Sequence, residues 1–203
     1  MHARAARHLR RVDPLLGAVI SRVGPCPLRP HDDGTHFGYV VRCIVYQQLS
    51  GKAAATIHAR VLDLYGGAPP TPAQVVKTTE AKLRAAGLST RKAEYVRELA
   101  ARVHRRELDI ARLHEMGDDE VIATLVSVRG IGRWTAQMVL MFRLGRPDVF
   151  PELDLGVQKG VQKLLGLRRL PTPKRMTAIG ERWAPHRTVA AWYLWRLLEL
   201  DPE

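Results

Sequence analysis

The stretch Leu125 to Ala136, LVSVRGIGRWTA, joins two apolar helical segments through Gly130, Ile131 and Gly132. Two glycines bracketing one apolar residue make a turn that can take positive φ and expose successive backbone N–H groups, while Ile131 anchors it to a core. With a helix starting at Arg133 or Trp134, these N–H groups and the helix dipole point the same way, and an anionic phosphate oxygen is their natural ligand. A plain helix-turn-helix connector with a glycine cap satisfies the same pattern.

Working outward, apolar positions recur every three to four residues and alternating strand-like runs are nearly absent, which predicts an all-α chain of about ten helices. The first helix is expected from about His2 to Val23, ending in Gly24, Pro25, Pro27 and Pro30. His36 to Leu49 and Lys52 to Tyr65 read as a helical pair hinged near Ser50 and Gly51. Thr71 with Pro72, Thr79, Ser89 or Thr90, and Asp118 are expected N-caps. Helices over about 82–86, ended by Gly87, and over 92–103, 119–126, 134–144, 155–164, 173–183 and 188–198 complete the pattern, with no internal repeat and no low-complexity linker. The 203 residues bound one compact domain, or two small ones sharing a core.

Composition removes several classes. Hydrophobic residues at 46% and charged residues at 26% are globular values, which exclude wholesale disorder and a coiled rod. No apolar run approaches the roughly 18 residues of a membrane span, and MHARAARHLRR leads into no apolar segment of the secretory type. Asp13 follows at once, so this start reads as a basic helix rather than a mitochondrial presequence. Cys26 and Cys43 are too few for a disulfide framework, a four-cysteine zinc site or an iron-sulfur cluster, and they fit a reducing cytoplasm. The formal charge of +12, from 32 Lys and Arg against 20 Asp and Glu, favours a polyanionic partner such as nucleic acid, although charge alone defines no reaction.

The hairpin, followed by DVFPELDLGVQKG from Asp148 to Gly160, resembles the helix-hairpin-helix DNA glycosylases with a Gly/Pro-rich loop and a catalytic aspartate. Within them the alkylpurine branch typified by 3-methyladenine DNA glycosylase II is the closest resemblance. YVVRCIVYQQLSGKAAATIHARV, from Tyr39 to Val61, and LRAAGLSTRKAEYV, from Leu83 to Val96, fit the same family in order. The resemblance implies one glycosylase domain over 1–203, two helical lobes around a DNA-facing cleft, a hairpin at about 119–145 and a catalytic loop at 146–156. It implies the compact form, because larger relatives carry a β domain ahead of the helices and this helical pattern starts within the first ten residues.

In that family the catalytic aspartate opens the helix after the hairpin, and Asp154 stands there. Relatives commonly carry two acidic residues before Leu and Gly; here the first is Leu153, so the doublet is broken. Asp154 is also a good N-cap type, and the two roles are compatible, since a cap fixes the carboxylate and favours its ionised form. Glu152 and Asp148 read as solvated loop residues. Relatives that also cut the strand place a Schiff-base lysine where this chain has Trp134, which implies a monofunctional enzyme.

The resemblance assigns the flipped base a pocket built from Trp134, Trp195, Tyr46 and Leu155, with Trp192 competing for the place of Trp195. Tyr39 and Met138 are further positions near that lining, and tryptophans in an all-α chain also serve as core. A cationic purine gains cation-π energy on an indole. Gln47, Gln48, Leu49 and Ser50 are similar to the family's intercalating loop, which makes Gln48 the wedge candidate with Leu49 and Ser50 beside it; both glutamines could instead cap the Lys52 helix. Phosphate contacts are expected from Gly130, Ile131, Gly132, Arg133, Thr135, Arg129 and Lys92, and also from Arg91. Family hairpins often hold a structural Na⁺ or K⁺ on backbone carbonyls, here those of Val126, Val128 and Ile131, and no cofactor is required for the chemistry.

The sequence thus reads as a monomeric, cytoplasmic, nucleoid-associated glycosylase that frees alkylated purines from duplex DNA. A non-catalytic hairpin DNA-binding protein and a glycosylase for another lesion are the alternatives.

Overall fold

The computed structural model describes residues 2–32 and 34–200; Met1, Asp33 and 201–203 lie outside it. Every regular element among the described residues is helical. In chain order the helices are α1 (Ala3–Val12), α2 (Pro14–Val23), α3 (His36–Tyr46) and α4 (Gly51–Asp63). There follow α5 (Pro72–Lys77), α6 (Glu80–Ala85), α7 (Thr90–His104), α8 (Asp118–Val126) and α9 (Arg133–Phe142). The chain then forms α10 (Leu155–Leu164), α11 (Pro173–Glu181) and α12 (Arg187–Leu200). A single 3-10 turn at Leu113–Glu115 was not apparent in the periodicity. The chain divides into two compact units, one combining 1–30 with 145–203 and the other spanning 31–144.

In the unit built from both chain ends, the expected first helix is two helices. Asp13 leaves the helical conformation at φ −145°, its carboxylate accepts from Leu16 N–H, and Pro14 opens α2. A proline at the first helical position needs no N–H, and the break lets α2 fold back along α1. Asp13 is buried at 3% exposure. Its second oxygen accepts from the Trp183 indole N–H at 2.9 Å, with the Arg182 guanidinium at 3.6 Å. A buried carboxylate is tolerated only with such partners. Asp13→Ala strands the Trp183 and Leu16 donors, and a loss of about 2–4 kcal/mol of stability is expected in denaturant melts. A change under about 0.5 kcal/mol would show that the burial is energetically idle.

The α10 and α12 helices pack closely in this unit because α10 carries glycines four residues apart on one face. A Cβ on Gly160 would lie 2.7 Å from the Leu194 carbonyl oxygen. The incoming loop is tied to the start of α12: Arg187 grips Asp148 through two 2.8 Å bonds, and the buried Thr188 hydroxyl donates to the Arg146 carbonyl and accepts from Val149 N–H. Asp148 is therefore an ion-paired anchor, not a solvated loop residue. Burial alone pushes its carboxyl up, and the Arg187 hydrogen bonds and charge outweigh that, so it sits below the usual carboxylate range.

In the 31–144 unit, α3 is the buried centre and packs against α4, α7 and α9. The caps follow the expected chemistry: Thr71 forms a reciprocal box with Gln74, and Thr79 and Ser89 accept from the third residue of their helices. Asp118 departs from expectation. Gly117 is the N-cap of α8, and Asp118 is its first helical residue, where its charge meets the positive helix end. Arg143 gathers the segment before α3 by donating to the carbonyls of His31 and Gly34 and to His36 Nδ1.

Candidate active site and DNA interface

Asp154 is the N-cap of α10, with φ −72° and ψ 120°. Its Oδ1 accepts the Val157 N–H at 2.8 Å and the Trp195 indole N–H at 2.8 Å. Two N–H donors on one oxygen hold the carboxylate in one orientation. The loop delivers the residue in steps: Phe150 packs edge-on to Trp183 at 5.5 Å, Asp154 N–H bonds the Pro151 carbonyl, and Gln158 reaches back to the Glu152 carbonyl. Leu153 and Leu155, at 48% and 55% exposure, flank the carboxylate with apolar surface. Leu155, expected in the pocket lining, is thus a surface neighbour of Asp154.

Gly156 makes the indole contact possible. A Cβ there would stand 2.8 Å from Trp195 Cδ1, 2.9 Å from its Nε1 and 3.1 Å from Asp154 Oδ1. Gly156→Ala must push the indole off the carboxylate, and a misplaced reacting group of this kind costs up to about 100-fold in rate. Single-turnover base release measures this, with the melting temperature as control. Unaltered rates would mean that the indole bond does not orient the carboxylate. Trp195 was expected to stack on the base; the structure adds a polar edge contact 41 residues distant in sequence, which no spacing signals. Trp192, its competitor, is engaged edge-on with Tyr193 at 4.9 Å and lies under the Arg196 guanidinium.

In the other unit, Gly130 has φ +82°, and a Cβ on it would lie 2.1 Å from Tyr95 Cδ2, so the hairpin seats its backbone on a tyrosine ring. Gly132 differs from expectation: at φ −93° it is ordinary extended backbone, and a Cβ there would meet nothing within 4 Å. Ile131 is buried, and its N–H closes the turn on the Val128 carbonyl at 3.1 Å. The first hydrogen bond of α9 runs from Ala136 to Gly132, so the N–H groups before it point out of the helix end. Arg129 and Arg133 are exposed beside this end, as an anion site requires. Arg129 also lies 3.8 Å from Glu94 and 6.0 Å from the Tyr95 ring centre.

Two expected phosphate ligands are engaged elsewhere. Lys92 donates to the carbonyls of Val45 and Gln47 at 2.8 and 2.7 Å, and burial lowers its pKa. Thr135 is 2% exposed, and its hydroxyl accepts from Gln47 Nε2 at 3.1 Å. The two carbonyls at the end of α3 are what draw Lys92 inward, and sequence spacing does not reveal them. Ser50 alone caps α4, which removes the helix-capping reading of the two glutamines. Gln48 is exposed at φ +55°, and Leu49 is 39% exposed, so this loop presents itself outward in a left-handed turn. Tyr46 is half-buried with the Arg42 guanidinium 4.2 Å from its ring centre. Trp134 is half-buried in the first turn of α9. Among the described residues no group of three or more His, Cys, Asp or Glu could hold a metal ion, and Cys26 and Cys43 are both buried thiols.

A carboxylate is thus fixed at one helix start, and in the other unit a glycine hairpin opens onto another helix start. The description "HhH-GPD superfamily base excision DNA repair protein" matches residues 41–186, and the chain belongs to that superfamily. It is 29% identical over 202 residues to the alkylbase DNA glycosidase-like protein mag2 of Schizosaccharomyces pombe, covering 98% of this chain and 95% of that one. It is 32% identical to DNA-3-methyladenine glycosylase 1 of the same yeast, over 97% of this chain and 88% of that one. Among solved structures, the 3-methyladenine DNA glycosylase Mag1 of that yeast in complex with abasic DNA superimposes with a TM-score of 0.87 at 31% identity, covering 98% of each chain.

Proposed function

We propose that this chain is a monofunctional DNA glycosylase that hydrolyses the N-glycosidic bond of alkylated purines, 3-methyladenine and 7-methylguanine, in duplex DNA. The observation that carries the reading is the Asp154 carboxylate, held on one oxygen by an indole N–H and a helix N–H. Alkylation at N3 or N7 makes the purine a cationic leaving group. As the glycosidic bond breaks, its electron pair neutralises the purine ring, and the sugar is left as an oxocarbenium ion. The Asp154 carboxylate stabilises that charge electrostatically, orients water toward C1′ and accepts its proton. The products are a free base and an abasic site.

The base must leave the stack to react. Trp195 and Leu155, beside Asp154, are assigned to the base; in the other unit Gln48 with Leu49 and Ser50 is assigned to the vacated stack, and Gly130, Gly132, Arg129 and Arg133 to phosphate. The neutral carbonyls of Val126, Val128 and Ile131 suit a monovalent ion, and that of Val128 already accepts the turn bond. The protein would act as a monomer in the cytoplasm, on the nucleoid. No helix among the described residues is long and apolar enough to cross a membrane.

Strand analysis tests the reaction type. Methylated duplex incubated with the protein should run intact in neutral conditions and break only after alkali cleaves abasic sites. Breakage without alkali would assign lyase activity and defeat the monofunctional reading.

A further inference from the structure

Gln47, which follows α3, stands between two elements that the proposed function uses separately. Its side-chain Nε2 donates to the Gly130 carbonyl at 2.9 Å and to Thr135 Oγ1 at 3.1 Å. Its own carbonyl accepts the Lys92 ammonium at 2.7 Å. The next residue, Gln48, takes φ +55°, a conformation that a non-glycine side chain holds only when its surroundings fix it. Both amide hydrogens are spent on the hairpin, and the orientation is unambiguous, because a carbonyl oxygen accepts and so must face the NH₂ group rather than the amide oxygen. Gly130 is itself immobilised on the Tyr95 ring. One side chain therefore ties the proposed phosphate-gripping turn to the proposed wedge loop, with Lys92 clamping the backbone where they meet.

We infer that Gln47 is a positioning residue that holds residues 48–50 at a set offset from the phosphate bound by the hairpin, so that gripping the strand and filling the vacated stack occur together. A side chain needed only for packing would be replaceable here by an apolar one of equal length. The inference rests on the glycosylase reading for its kinetic consequence, but the coupling is a property of the loop and hairpin themselves.

The test compares wild type with Gln47→Met, which keeps the length and removes both donors. Single-turnover release of 7-methylguanine is measured with the lesion opposite cytosine and opposite a tetrahydrofuran abasic analogue. The unpaired lesion leaves the stack readily and depends little on a wedge. Gln47→Met should lose about tenfold or more on the paired duplex and less than about threefold on the other. An equal fall on both duplexes, or none on either, overturns the inference. A second arm needs no catalysis. Binding of duplex containing the tetrahydrofuran analogue should slow amide hydrogen exchange at 48–50 and 130–132 together in wild type, and only at 130–132 in Gln47→Met. Loop protection retained in the variant, or absent from wild type, also overturns it. Wild type that shows joint protection but releases no base defeats the glycosylase reading and leaves the coupling standing. Thr135→Val, which removes one acceptor without changing shape, should move both readouts in the same direction if Gln47→Met fails to fold.

Discussion

Gly130→Ala is expected to lower the melting temperature by roughly 10 °C, because two independent penalties fall on one methyl group. The backbone sits at φ +82°, and the new Cβ would be 2.1 Å from the Tyr95 ring. A left-handed alanine costs about 1–2 kcal/mol, and overpacking against an aromatic ring about 1–3 kcal/mol more. Adding Tyr95→Ala should relieve the second penalty and leave the first. Gly132→Ala is the informative contrast. Nothing lies within 4 Å of its Cβ and its φ is −93°, so stability should stay within about 0.5 kcal/mol of wild type. If a phosphate sits on this turn, the methyl instead obstructs it, and affinity for all duplex sequences should fall alike. A melting temperature unchanged by Gly130→Ala would contradict the packing argument, and unchanged affinity in Gly132→Ala would contradict the phosphate assignment.

Asp154→Asn should abolish base release, by about 10³-fold or more, while leaving the fold and duplex affinity intact. Asparagine caps a helix as well as aspartate, and its carbonyl oxygen still accepts from Val157 and Trp195. What disappears is the negative charge beside the developing cation and the acceptor for the proton of water. Removing an anion from a protein that binds a polyanion holds affinity constant or raises it. Single-turnover assays with parallel binding titrations measure both quantities. Near-native turnover in the variant would remove Asp154 from the chemistry.

The two outcomes share a lesson about legibility. The hairpin was readable because glycine spacing and an apolar anchor are local signals, yet only Gly130 uses the left-handed freedom that both glycines offer. Asp154 was singled out by the family resemblance, and its capping role was readable from its residue type. Trp195 as the holder of that carboxylate was not, because the bond spans 41 residues and depends on Gly156 being bare. Asp13 and Pro14 carried the usual signature of a helix start inside what read as one long helix, and the periodicity running through them masked it. Lys92 and Thr135 read as phosphate ligands because charge and hydroxyl types suggest exposure. Their partners are backbone and side-chain atoms far away in sequence, so their inward orientation is a tertiary property. Asp148 misled in the same way, since its partner Arg187 lies 39 residues on.

The most direct test of the central claim is release of free methylated purines. Wild-type protein and Asp154→Asn are incubated separately with duplex DNA alkylated by a methylating agent, and the soluble bases are separated by chromatography. Free 3-methyladenine and 7-methylguanine released by wild type and absent with the variant is the predicted result. No methylated base above the protein-free control, from a wild-type protein that binds the same DNA, would contradict it.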